Sequence, residues 1–175
     1  MNEFSTPHVH ITTTNAEAKT SSFLNFTSPP TQVLSPTFSL SYSYSTPPAL
    51  TLLHDADLAH HLTIASAGPP YLFFPVAGAS AVAYLDFAPN TEQEDGFWHR
   101  TQTVDYLVVL EGELELGLDG GETRVLKKGD LVVQRACMHK WKNLSSTEGA
   151  RCLVVSLGLE GAVEGAMEYG GGDLK

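Results

Sequence analysis

Basic residues are scarce in this chain. Its 175 residues carry 10 Lys and Arg against 20 Asp and Glu, a net charge of −10. A surface of that sign repels phosphate backbones and anionic headgroups, so neither nucleic acid nor a membrane surface is expected as a partner. Cysteine is scarcer still, with only Cys137 and Cys152. Both fall in strand-like runs, so buried thiols rather than a disulfide frame are expected. No apolar run has the length of a membrane span. No basic segment followed by an apolar core opens the chain, so a cytoplasmic protein without a secretory signal is expected. Long helical periods are missing as well. Pro29, Pro30, Pro36, Pro47 and Pro48 forbid a long helix in the first third.

What remains is globular. A hydrophobic fraction of 42% suits one domain, and a chain of this size buries roughly two-thirds of its unfolded surface. The stretch from His8 to Thr13 alternates and is β-prone. Residues 37–44 alternate strictly, with Phe38, Leu40, Tyr42 and Tyr44 predicted on one face and serines on the other. That exposed alternation offers a strand to the chain's own sheet or to a second subunit. Residues 51–64 read as a short helix or loop bearing His54, His60 and His61. The apolar run 71–75 and the strand at 81–87 follow.

Beyond the acidic loop Glu92–Gly96, strands are predicted at 99–110, 112–118, 122–127, 130–135, 138–143 and 150–157. Asp119, Gly120 and Gly121 between alternating strands are a hairpin signal. Short strands in series with no helical period indicate an all-β sandwich or barrel. The divisions expected are an extension over 1–66, a barrel over 67–158 and a loose glycine-rich tail over 159–175, with one helical turn near Val163–Met167.

Every second residue of a strand shares a face. The odd positions from 99 place His99, Thr101, Thr103, Asp105, Leu107 and Val109 together, and leave Tyr106 on the other side. With that set inward, one histidine and one acid line a pocket over an apolar floor. A later strand puts His139, Trp141 and Asn143 on one face. A buried His99–Asp105 pair would give an oriented imidazole fit to move protons, with His139 opposite. Arg100 has outward parity but stands at the pocket mouth.

Two segments together resemble the motifs of the cupins. The first motif of that family is Gly-x5-His-x-His-x3–4-Glu-x6-Gly. Here Asp105 precedes Gly112 by seven residues, where the family has its acid; His99 takes the place of the first histidine and Thr101 that of the second. The second motif is matched by Gly129, His139 and Asn143, without its Pro and Gly and one residue shorter. The wording over 80–158 is similar to that of small single-domain cupins of microbial and fungal natural-product biosynthesis. That resemblance implies a jelly-roll barrel, or double-stranded β-helix, with an N-terminal strand-containing extension. It also implies a homodimer and a site built on His99, Asp105 and His139 as catalytic residues. Thr101, Thr103, Arg100 and Trp141 are then the expected substrate contacts.

The resemblance implies either no cofactor or a single divalent transition metal (Fe, Mn, Ni or Zn) held by His99, Asp105 and His139. The function it suggests first is a lyase of secondary metabolism, a dehydratase or decarboxylase acting on a polyketide-like or aromatic small molecule. In the dehydratase form, His99 removes a proton and His139 protonates the departing hydroxyl. A metal-dependent dioxygenase or oxidoreductase using the same residues is the alternative. A non-enzymatic small-molecule-binding cupin is the third reading.

Overall fold

The computed structural model describes residues 4–15, 17–66 and 74–166. Among the described residues, eleven strands and one α-helix follow in chain order: β1 (Thr12–Asn15), β2 (Thr20–Phe23), β3 (Gln32–Ser35), β4 (Phe38–Thr46), α1 (Ala56–Ala65), β5 (Ser80–Phe87), β6 (Thr103–Glu111), β7 (Glu113–Leu118), β8 (Thr123–Lys127), β9 (Leu131–Arg135), β10 (His139–Asn143) and β11 (Ala150–Gly158). A six-stranded sheet has the order β3-β4-β5-β11-β6-β9. A three-stranded sheet has the order β10-β7-β8, and β1 pairs with β2 alone. This is the mostly antiparallel, all-β jelly-roll architecture expected of a cupin. Among the described residues no helix is long and apolar enough to cross a membrane.

The alternation along β6 sets the core. Thr103, Asp105, Leu107 and Val109 are buried, while Tyr106 is 43% exposed. Leu107 and Val109 meet Leu114 and Leu116 of β7, Trp141 of β10 and Cys152 of β11 in one cluster. Leucine and valine side chains buried in this way contribute about 1.5–3 kcal/mol each. Gly112 turns the chain from β6 into β7 at φ 72°, and a Cβ there would lie 2.6 Å from the Gly149 carbonyl oxygen. The hairpin β7–β8 closes at Asp119–Gly121, with the Gly121 N–H donating to the Leu118 carbonyl.

The first third differs from its sequence reading. The strand expected from His8 forms instead at β1, four residues further on. β4 is not an exposed strand awaiting a partner. It lies between β3 and β5, and Ser39, Ser41, Ser43 and Ser45 are buried along with Leu40 and Tyr42. Its register shifts between Tyr42 and Tyr44, so the single face predicted for Phe38, Leu40, Tyr42 and Tyr44 is broken. Phe38, Leu40 and Tyr42 face the barrel cavity, whereas Tyr44 turns to α1, where its hydroxyl donates to Asp57 at 2.7 Å. β3 and β4, drawn from the stretch 1–66, are therefore strands of the large sheet.

Two smaller corrections concern the ends of elements. Cys137 sits in the loop before β10 and is only partly buried, because β9 stops at Arg135. Residues 159–166 are tied down: Gln102 Nε2 donates to the Leu159 carbonyl, and Arg100 donates to the Glu164 carbonyl at 2.9 Å. Residues 71–73 and Met167 of the expected run and turn lie outside the described residues.

Candidate active site

The strand predicted from 99 begins only at Thr103. His99 lies before it, in an isolated bridge to His139. Each of the two backbone N–H groups donates to the other's carbonyl at 2.9 Å. This bridge brings the imidazoles together, with ring centroids 4.1 Å apart. Trp141 follows on the inward face of β10, its ring edge-on to His139. All three line a cavity of ≈390 Å³ with Thr101, Asp105, Gln134 and Ser156. The opposite wall is Phe38, Leu40 and Tyr42 of β4 with Leu85 and Phe87 of β5.

The two histidines share one local geometry. Nδ1 of His139 lies 2.9 Å from the Cys137 carbonyl, and Nδ1 of His99 lies 3.3 Å from the Phe97 carbonyl. A carbonyl only accepts, so each Nδ1 carries the proton and each Nε2 keeps its lone pair. Burial holds both pKa values down, that of His99 to about 4 with the neighbouring His139 adding to the effect. Both rings are thus neutral near pH 7. Burial pushes Asp105 up, against the hydrogen bonds it receives from Ser156, Thr103, Gln134 and Thr101.

The expected His99–Asp105 pair does not set the orientation of His99, and Asp105 acts on that ring only through its charge. His99 is oriented by the Phe97 carbonyl and by the Phe97 ring 4.6 Å away. Asp105 is served by hydroxyls and by Gln134, which sequence reasoning missed. Gln134 Nε2 lies 3.2 Å from Asp105 Oδ2 and 3.0 Å from His139 Nε2, so its two amide hydrogens fill both acceptors. The signal was present in β9: Leu131, Val133 and Arg135 are exposed, and the same parity argument puts Gln134 inward. Thr101 contacts the cavity, and Thr103 supports it through a 2.7 Å hydroxyl contact. Arg100 does not reach the cavity; its guanidinium is turned to Glu164.

This arrangement also tests the metal set. Gln134 stands between Asp105 and His139 and occupies the His139 lone pair. Among the described residues no three His, Cys, Asp or Glu side chains come together as a ligand group. The three residues His99, Asp105 and His139 do not fit a metal ion as they stand, because a facial site needs three donors converging on one point.

The loop 90–97 borders the cavity. Asn90 pins it, its amide donating to the carbonyls of Glu94 and Asn143. Gly96 passes so close to β10 that a Cβ would lie 1.9 Å from the Trp141 carbonyl oxygen. Backbone cannot yield as a flexible side chain does. The variant Gly96→Ala is expected to lose about 1–3 kcal/mol in urea unfolding. Trp141 fluorescence should shift to the red in the native state as the loop lifts. Unchanged stability and emission would show that the loop does not bear on Trp141.

Comparison with known proteins bears on the same stretch. A family model described as "Cupin domain" matches residues 83–156. The chain is 41% identical over 133 residues to "Oryzines biosynthesis cluster protein J" of Aspergillus oryzae, covering 76% of this chain and 70% of that protein. It is 40% identical over 120 residues to "Phomopsin biosynthesis cluster protein D" of Diaporthe leptostromiformis, covering 69% of this chain and 60% of that one. It is 39% identical over 89 residues to "Cupin-domain-containing oxidoreductase srdD" of Neurospora crassa, covering 51% and 44%. The chain thus spans less than two-thirds of the length of the second and third of these relatives. A barrel carrying both histidine segments, together with a match to the first relative over most of both chains, establishes that the chain belongs to the cupin family.

Proposed function

We propose that this chain is an enzyme of fungal secondary metabolism, a lyase that eliminates a small group from a polyketide-like or aromatic intermediate. The observation that carries this reading is the neutral His99 imidazole, whose lone pair at Nε2 stands in an apolar-walled cavity beside His139. A neutral imidazole with its Nε2 lone pair free can take a proton as a general base. In a dehydration, His99 Nε2 takes the proton beside the substrate carbonyl. The electron pair forms the carbon–carbon double bond as the bond to the β-hydroxyl breaks. The imidazolium then gives that proton to the departing hydroxyl, which leaves as water.

The acid role expected of His139 does not suit its geometry. Its only ring proton is held by the Cys137 carbonyl, and its lone pair accepts from Gln134. His139 instead packs against the base and adds to the burial that keeps it neutral. Thr101, Ser156 and Asp105 supply the polar contacts that orient the substrate oxygens.

The test uses the intermediate accumulated by a strain lacking the gene. The purified protein should convert it, and His99→Ala should lower turnover by about 10²–10⁴-fold. Full turnover by His99→Ala, with the fold shown intact by circular dichroism, would sink this reading.

A further inference from the structure

The cavity is poor in positive charge. Among the described residues, the charged side chains that line it are Glu94, Asp95, Asp105 and Lys142. Lys142, the one cation of the four, is spoken for: its Nζ lies 3.4 Å from Asp95 Oδ1. Lys140, on the same strand, takes the other oxygen at 2.7 Å. Deeper in, the imidazoles of His99 and His139 are neutral, and the carboxyl beside them is Asp105. Around it stand uncharged groups: Thr101, Gln134 and Ser156.

A carboxylate or phosphate buried here would meet no free cation, and the nearby hydroxyl and amide donors already serve Asp105. A buried anion without a cation or a set of donors is strongly disfavoured. It would also approach Asp105, and two carboxyls at close range cannot both ionise. We infer that the site selects an uncharged, ring-bearing substrate whose oxygens are carbonyl or hydroxyl groups, so that the group eliminated is water rather than carbon dioxide. This rests on the reading of the cavity as the substrate site, and it separates the two lyase reactions. A decarboxylase must seat a carboxylate at neutral pH; a dehydratase need not.

The experiment uses the full chain and two probes of one shape, naphthol and naphthoate, titrated calorimetrically at neutral pH and low salt. Occupancy of the cavity is read from the indole N–H resonance of Trp141, told apart from that of Trp98 with the Trp98→Phe variant. Naphthol is expected to bind about tenfold or more tightly than naphthoate. Asp95→Asn, at an exposed carboxylate, releases Lys142 and should narrow that gap by about threefold or more. Equal or tighter binding of naphthoate, with both probes moving Trp141, would overturn the inference and leave the cavity as a substrate site. If neither probe moves Trp141, the substrate-site reading falls, and this inference falls with it.

Discussion

Replacing Arg151 by alanine is expected to cost about 3–5 kcal/mol of stability, the loss typical of breaking a buried ion pair from one side. Arg151 on β11 stands opposite Asp86 on β5 in the sheet register. Its Nε lies 2.5 Å from Asp86 Oδ1, and its Nη2 lies 2.7 Å from Oδ2. The Asp86 side chain is 0% exposed and that of Arg151 is 12% exposed. With the guanidinium gone, Asp86 loses both charged hydrogen bonds at a site with little exposure to water. The same Nη2 donates to the Ser5 carbonyl, and the guanidinium lies 4.6 Å from the Phe4 ring centroid. Its loss should also release the N-terminal segment. The contrast is Lys128→Ala, which removes a pair with Glu111 whose partners are 67% and 53% exposed. Exposed pairs of that kind are worth about 0–1 kcal/mol. Urea unfolding of both variants measures the difference. If Arg151→Ala falls within about 1 kcal/mol of the parent, Asp86 is finding compensation that its burial denies it.

That pair was invisible in the sequence, and the reason is physical. Alternation along one strand gives the face of each residue but not its neighbour on the next strand. Asp86 and Arg151 are 65 positions apart and meet only because β5 and β11 are adjacent. The same limit explains the site. Parity correctly put Thr103 and Asp105 inside, since β6 is regular and buried on one face, and Thr101, just ahead of β6, is buried as well. It said nothing of what Asp105 would touch. Two of its partners come from neighbouring strands, Gln134 of β9 and Ser156 of β11, each opposite Asp105 in the sheet register. Parity failed outright where regularity failed. The register shift in β4 sends Tyr44 away from Tyr42, and no residue type marks that site in advance. The N-terminal third was the least legible. Its serines are buried by other segments of the chain, so a serine face did not mean a wet face.

Tyr44 leads to the second large effect, an acid-dependent loss of stability centred on His61. This histidine is 0% exposed, on the face of α1 that packs against β4. Its ring lies 4.6 Å from that of Tyr44 and 5.8 Å from that of Phe26. Its Nδ1 lies 3.3 Å from Ser45 Oγ, and its Nε2 is buried without a hydrogen-bond partner. Burial, with the neighbouring His60 adding to it, holds the pKa of His61 down to about 4. Asp57 on α1 is engaged by the Tyr44 hydroxyl. In the unfolded chain the same imidazole titrates near 6.5. Above about pH 6.5 it is neutral in both states and contributes no pH dependence. As pH falls from 6.5 towards 4, the unfolded chain binds a proton that the folded chain refuses, so stability declines. Below 4 the folded state takes the proton too and the contribution levels off. The difference between the two pKa values corresponds to about 3 kcal/mol lost across that window. His99 and His139 are depressed for the same reason and add to the decline, so the effect of His61 is read by difference. His61→Phe keeps a ring between Tyr44 and Phe26 and removes the titration. Its stability should fall by about 3 kcal/mol less than that of the parent between pH 7 and pH 4. Parallel curves for the two proteins would mean that His61 accepts its proton inside the fold at no cost, and that α1 opens to water before the barrel does.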